Sequence, residues 1–231
     1  MSTVNEIYNS LQSFADKEKL AVYPRFFKTG KGEYGEGDRF IGVSVPHVRE
    51  VARRYADVPL AVVREMLFSP WHEMRSCGLV ILVGLCRNGV PAEVYNFYLD
   101  HTSRVNNWDL VDLSAPTIVG GHLLERSREP LFRLADSKLL WDNRIAVVST
   151  LCFIRHGDVG TTYELAERLM HHPHDLMHKA TGWMLREAGK VDERRLFDFV
   201  DAHRHDMPRT MLRYAIERFT PATRRQLMRR D

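Results

Sequence analysis

Cysteine is scarce in this chain of 231 residues, occurring only as Cys77, Cys86 and Cys152. The number is odd, each residue sits among apolar neighbours, and no Cys-x-x-Cys spacing occurs. Neither a disulfide framework nor a zinc site is indicated, and reduced, buried thiols are expected. Long apolar runs are missing as well, so neither a membrane span nor a secretory signal is expected, and the cytoplasm is the expected location. Charge of one sign is not in excess: the formal net charge is +3, which permits nucleic-acid binding without demanding it. Convincing strand alternation is absent. What remains is an ordinary globular composition, 44% hydrophobic and 27% charged, long enough for one large domain or one repeat array.

Helical patterning fills that length. Val4 to about Phe27 reads as two helices, with Ile7, Leu11 and Phe14 on one stripe and Leu20, Val22, Tyr23, Phe26 and Phe27 in the next. Pro46 and Pro59 each start a further helix, the second burying Leu60, Val63, Met66 and Leu67, and Ser69-Pro70 has the form of a strong helix start. Helices of similar pattern begin near Trp71, Trp108, Trp141, Pro173 and Met207, a recurrence every 32 to 37 residues. Shorter amphipathic segments lie between them. A long helix with a shorter partner at such a period predicts an all-α helical-repeat solenoid running through residues 1–231 as a single domain. Tetratricopeptide and ankyrin consensus residues are absent, and the irregular spacing suits HEAT-like repeats.

Superposing the repeats puts Arg75, Asp112, Arg144, Lys179 and Arg213 at equivalent positions, on the surface expected to be concave. A row of cations along such a groove suits a phosphate backbone. Salt bridging within and between repeats is the alternative, and charge alone does not separate the two. The end of the chain, from Arg209 to Arg230, is locally basic as well, with seven arginines against Glu217. Residues 28–39 break the helical pattern with four glycines in a charged surround. No glycine there is followed by Lys-Ser or Lys-Thr, so a phosphate-binding P-loop is rejected. The reading is a mobile loop, either a solvated connector or one whose Lys28, Lys31 and Arg39 meet phosphates, with Tyr34 at its tip.

Aromatic residues sharpen this. In Val105-Asn106-Asn107-Trp108-Asp109-Leu110-Val111-Asp112 the asparagines are helix-capping types, and Trp108 and Asp112, four apart, share one helical face. Pro116 removes the hydrogen bond to the carbonyl of Asp112, so the helix should bend or loosen there. In Lys179-Ala180-Thr181-Gly182-Trp183-Met184-Leu185-Arg186, cation, indole and cation follow at helical spacing. Indole faces attract positive charge, and a carboxylate favours a developing cation where water is partly excluded. A packing Trp beside a solvated Asp is the plainer reading of the first stretch.

Those two stretches, Asn143-Arg144 and Val45-Pro46-His47-Val48-Arg49 together resemble the AlkD-like alkylpurine DNA glycosylases, a family built of HEAT-like repeats. The resemblance implies an enzyme that removes cationic N3- or N7-alkylated purines from duplex DNA, as a monomer, without a cofactor and without deep base flipping, in the nucleoid-containing cytoplasm. It implies Asp112 as catalytic carboxylate, Trp108 and Trp183 as the aromatic pair around the lesion, and Arg144, Arg186 and Arg49 as backbone contacts. Lys179, Arg75 and Arg213 join these as expected DNA-binding cations from the repeat column. The rivals are a DNA-structure-binding protein without hydrolysis and a protein-binding helical scaffold. His171, His172, His174 and His178 crowd one helix boundary, where a polar loop near the DNA is favoured over a metal site. Asp109 is expected to favour the positive end of its helix, and stands as the second candidate for the catalytic carboxylate.

Overall fold

The computed structural model describes residues 3–229, so Arg230 of the basic C-terminal run lies outside the described residues. In chain order the helices are α1 (Thr3–Gln12), α2 (Lys17–Phe26), α3 (Val45–Arg54), α4 (Leu60–Leu67), α5 (His72–Leu85), α6 (Ala92–Asp100), α7 (Trp108–Ala115) and α8 (Gly121–Leu123). They continue as α9 (Glu129–Ala135), α10 (Leu140–Arg155), α11 (Gly160–Arg168), α12 (Asp175–Ala188), α13 (Glu193–His203), α14 (Arg209–Ala215) and α15 (Pro221–Met228). A 3-10 turn, Thr102–Arg104, precedes α7, and a turn of π-helix, Pro116–Gly120, follows it. Among the described residues extended pairing is limited to two isolated bridges, Arg39 with Trp71 and Arg87 with Gly89. The all-α class expected from the periodicity is what the chain forms. Its contacts gather in two compact units, Met1–Ser114 and Ala115–Asp231, with the boundary inside α7.

In the first unit α5 is the central helix, buried from His72 through Leu79 and packed by α3 and α4. Each neighbour contributes one apolar stripe: Ile7 and Leu11 from α1, Val48, Val51 and Ala52 from α3, Val63, Met66 and Leu67 from α4. Two expectations are corrected here. Helix α5 begins at His72 rather than at Ser69-Pro70, because the Pro70 carbonyl accepts the Arg39 amide (3.2 Å) and the Arg39 carbonyl accepts the His72 amide (2.8 Å), which keeps the chain extended through Trp71. Helix α2 buries none of its residues despite its apolar content; Val22 and Phe26 are exposed, and only Phe27, just past its end, is buried.

The glycine-rich segment after Phe27 is tied together internally. The Lys28 carbonyl accepts the Gly35 amide (2.9 Å), while Glu33 and Glu36 accept the Gly30 and Gly32 amides. Tyr34 is half-buried rather than an exposed tip. Beyond the loop, the buried Glu73 carboxylate accepts the amides of Ile41, Gly42 and Val43 at 2.8 to 3.1 Å. A charged side chain inside the unit thus satisfies three backbone donors that no helix or sheet pairs.

In the second unit α10 is central, buried without a break from Asp142 to Leu151, with α9, α12 and the π-turn against it and α14 packed on α12. The π-turn is the loosening that Pro116 predicts: the proline ring cannot donate to the carbonyl behind it, and the helix widens for one turn. Asn143 ties α9 to this core, its amide donating to the carbonyls of Leu134, Ala135 and Ser137 at 2.9 to 3.0 Å. The carbonyls at the end of α15 are taken by Arg204 and Arg209. Arg209 therefore serves the fold rather than the surface.

Candidate nucleic-acid interface

Helix α7 starts where sequence pattern places it. Asn107 is fully buried and its Oδ1 accepts the Trp108 amide at 2.8 Å, while the Asn106 amide reaches the Asp38 carboxylate at 3.4 Å. Trp108 is half-buried. Its indole lies nearly parallel to Phe27, with ring centres 5.8 Å apart and planes at 21°, and meets Phe26 edge-on at 5.7 Å. Phe26 is 55% exposed, so the aromatic surface reaches solvent. Asp112 stands one turn further along α7 and is half-buried. Nothing in the apolar pattern of α2 marks Phe26 or Phe27 as partners of Trp108, because their meeting depends on how the chain returns through residues 28–44.

Beneath α7 lies a buried polar cluster. His72, 3% exposed, sits between two carboxylates, with Nδ1 3.2 Å from Asp38 Oδ2 and Nε2 2.8 Å from Asp109 Oδ2. Arg75, 1% exposed, donates to Asp38 Oδ1 (2.6 Å) and to the Ser69 carbonyl (3.0 Å). Phe27 and Phe40 cover the imidazole at 4.7 and 5.1 Å. Burial works against a charged ring, but the hydrogen bonds to Asp109 and Asp38 outweigh it and hold the His72 pKa up at about 9. Burial likewise opposes ionisation of Asp38, and His72 and Arg75 overcome it, leaving the carboxyl below its ordinary value. At neutral pH the imidazolium of His72 therefore stands between the Asp38 and Asp109 side chains, with Arg75 on Asp38.

The second unit carries the other predicted residues. On α12, Trp183 is half-buried. Lys179 is 2.8 Å from Asp175, and Arg186 is paired with Glu217 and lies 3.6 Å from Glu187. Arg144, 5% exposed, donates to the Leu176 carbonyl at 2.9 Å. Arg213 is exposed on α14. The histidines organise the start of α12: His174 Nδ1 accepts the Leu176 amide (3.1 Å), His172 Nδ1 accepts the His174 amide (3.1 Å), and His178 Nε2 bonds the His172 carbonyl (2.6 Å). Among the described residues no group of three or more His, Cys, Asp and Glu side chains has a metal-holding arrangement.

A family model described as DNA alkylation repair enzyme matches residues 7–219. The chain belongs to the DNA alkylation repair enzyme family. Among solved structures it is similar to one described as "Predicted DNA alkylation repair enzyme from Enterococcus faecalis", with a TM-score of 0.71, 13% sequence identity, and coverage of 90% of this chain and 97% of that one. At that identity the likeness speaks for the fold, a helical repeat. No curated protein matches the chain.

With the family established, the predicted residues of this repair protein can be placed. Trp108 and Asp112 are brought together on α7, and Lys179, Trp183 and Arg186 on α12. Arg49 is exposed on α3. Arg75 is a correction: it is an interior counter-ion of Asp38, with no surface to offer a phosphate. Asp109 stands in the first turn of α7, where its charge meets the positive helix end as expected, and its Oδ2 is engaged by His72 while its Oδ1 is buried. His72 and Asp38 were not singled out by sequence. Their signal was the period itself: 34 residues separate Asp38 from His72 and 37 separate His72 from Asp109, one repeat in each case. The thiols are poor nucleophiles, burial pushing Cys77 up to about 12 and Cys86 to about 11.

Proposed function

We propose that this family member is a DNA glycosylase that hydrolyses the N-glycosidic bond of cationic N3- or N7-alkylated purines in duplex DNA, without drawing the base into a deep pocket. The observation that carries this reading is α7, where an indole on an exposed aromatic surface and a half-buried carboxylate stand one turn apart. An alkylated purine already bears the positive charge that an acid catalyst supplies elsewhere. When its bond to C1′ breaks, the electron pair neutralises the base and the sugar is left as an oxocarbenium ion. No general acid is required.

In this reading Trp108 presents its face to the cationic nucleotide, and Asp112 stabilises the sugar cation and orients the water that adds to C1′, whose proton passes through the carboxylate to solvent, while Trp183 is the aromatic DNA contact of the second unit. Arg49, Lys179, Arg186 and Arg213 contact flanking phosphates, and Arg144, buried on the Leu176 carbonyl, has to leave that partner to contact the backbone at the lesion. Lys179 and Arg186 must exchange their carboxylate partners for phosphate, which at exposed ion pairs costs little. The protein acts as a monomer, without a cofactor, in the cytoplasm at the nucleoid.

The test is release of free base from duplex DNA bearing 7-methylguanine, measured beside binding of the same duplex over a salt series. Release with steeply salt-dependent binding is expected. Binding without release would replace the glycosylase with a non-hydrolytic DNA-structure binder, and salt-insensitive or absent binding would leave a protein-binding scaffold.

A further inference from the structure

Glycosylase chemistry at α7 makes no use of the buried cluster beneath it. Yet that cluster touches the α7 site twice. His72 bonds Asp109, the residue next to Trp108, and it packs against the ring of Phe27, on which the Trp108 indole is stacked. The two carboxylates on His72 are not equivalent. Asp38 has two further donors, Arg75 at 2.6 Å and Asn106 at 3.4 Å. Among the described residues Asp109 has His72 alone: its other oxygen, Oδ1, is buried with no hydrogen-bond partner among them.

We propose that His72 is a positioning residue for Trp108, clamping the first turn of α7 through Asp109 and the indole through Phe27, and thereby setting how the aromatic surface meets its ligand. This rests on the reading of Trp108 as a ligand contact. The imidazolium has two N–H donors and serves both carboxylates; the neutral ring has one N–H and one lone pair, so one carboxylate must face an acceptor. Asp38 keeps Arg75 and Asn106, so the carboxylate released is Asp109. Its side chain, 21% exposed, turns toward water, and the first turn of α7 moves with it. The charged and titratable groups around the ring are Asp38 from the loop, Asp109 from α7, Arg75 and Glu73 from α5, Arg104 from the 3-10 turn behind Arg75, and Tyr23 from α2.

The experiment uses the full chain labelled with 5-fluorotryptophan, whose four indoles are Trp71, Trp108, Trp141 and Trp183, with the Trp108 resonance assigned from Trp108→Phe. Between about pH 7 and about pH 10, the Trp108 resonance is expected to move with the midpoint of His72 while helicity stays constant. In His72→Gln, which donates from one end only, that resonance should sit near its alkaline position at every pH. Asp109→Asn, which lacks the charge that His72 holds, should likewise abolish the titration, and serves if His72→Gln does not fold. Single-turnover base release should fall on the order of tenfold along the same alkaline limb. A Trp108 resonance indifferent to pH and to a folded variant overturns the proposal. The fluorine signal needs no catalysis: a chain that titrates at Trp108 but releases no base keeps this inference and loses the glycosylase reading.

Discussion

Gly182 lies so close to α14 that a Cβ on it would stand 2.5 Å from the carbonyl oxygen of Met211 and 2.6 Å from the Cβ of Tyr214. Only a residue without a side chain permits this approach, and the next residue is Trp183. Gly182→Ala is therefore expected to destabilise the protein although alanine is the better helix former. Overpacking against backbone costs about 1 to 3 kcal/mol, more than the roughly 1 kcal/mol gained in propensity. Urea unfolding followed by circular dichroism measures this, and an unchanged or raised midpoint would show that α12 and α14 are not in such close contact.

Asp112→Asn keeps the shape of the side chain and removes its charge. A carboxylate that stabilises a sugar cation acts chiefly in the transition state, so the single-turnover rate of 7-methylguanine release should drop roughly a hundred- to a thousandfold, or about 3 to 4 kcal/mol. Duplex binding should hold or tighten, because a negative charge near phosphates is gone. Excision at the parent rate would remove Asp112 from the mechanism. Asp109→Asn leaves His72 with one carboxylate, so its unfolding midpoint should fall.

Arg49 and Arg75 separate surface from interior. Arg49→Ala should reduce duplex affinity and flatten its salt dependence by about one unit of slope without touching stability. Arg75→Met should do the reverse, destabilising by about 3 kcal/mol, the lower end for a broken buried pair because Asp38 keeps His72 and Asn106, and leaving the salt slope of the folded fraction alone. Binding titrations at several salt concentrations and urea curves on both variants make the comparison, and a changed slope in Arg75→Met would contradict its burial.

Acid should loosen the start of α12. Burial, with the neighbouring histidine charges, lowers the His172 pKa, and burial also leads the lowering at His174. The folded state therefore binds these protons less readily than the unfolded chain, so their contribution is present above about pH 6.5 and is lost as pH falls below it. Both Nδ1 atoms accept amides and can do so only unprotonated. His174→Asn retains a capping acceptor that does not titrate, and should lose less stability than the parent between about pH 7 and about pH 5. Equal losses in parent and variant would mean that the cap plays no part in acid sensitivity.

Much of the helix inventory was legible because it is local. Proline and asparagine starts, the 3.6-residue stripe and the loosening at Pro116 depend on residues within a turn or two of one another. The pairing of Trp108 with Asp112 on one face is local for the same reason. The failures at Ser69-Pro70 and α2 share a different cause. A bridge to Arg39 overrode a good capping pair, and an amphipathic helix was left largely in solvent with only its trailing phenylalanine inside.

By itself, then, the sequence determined the all-α class, the order of helices, the repeat period and the indole–carboxylate pair, since each follows from backbone periodicity and short-range hydrogen bonding. Tertiary packing decided which equivalent charges lie inside. Arg75 and Arg213 are expected near equivalent repeat positions, yet one is buried against Asp38 and the other is exposed. It decided too that Asp109 faces His72, because that contact joins residues a full repeat apart. A charge pattern is the same string whether its partner is water, a phosphate or a buried carboxylate, and only the packing of one helix on the next selects among them.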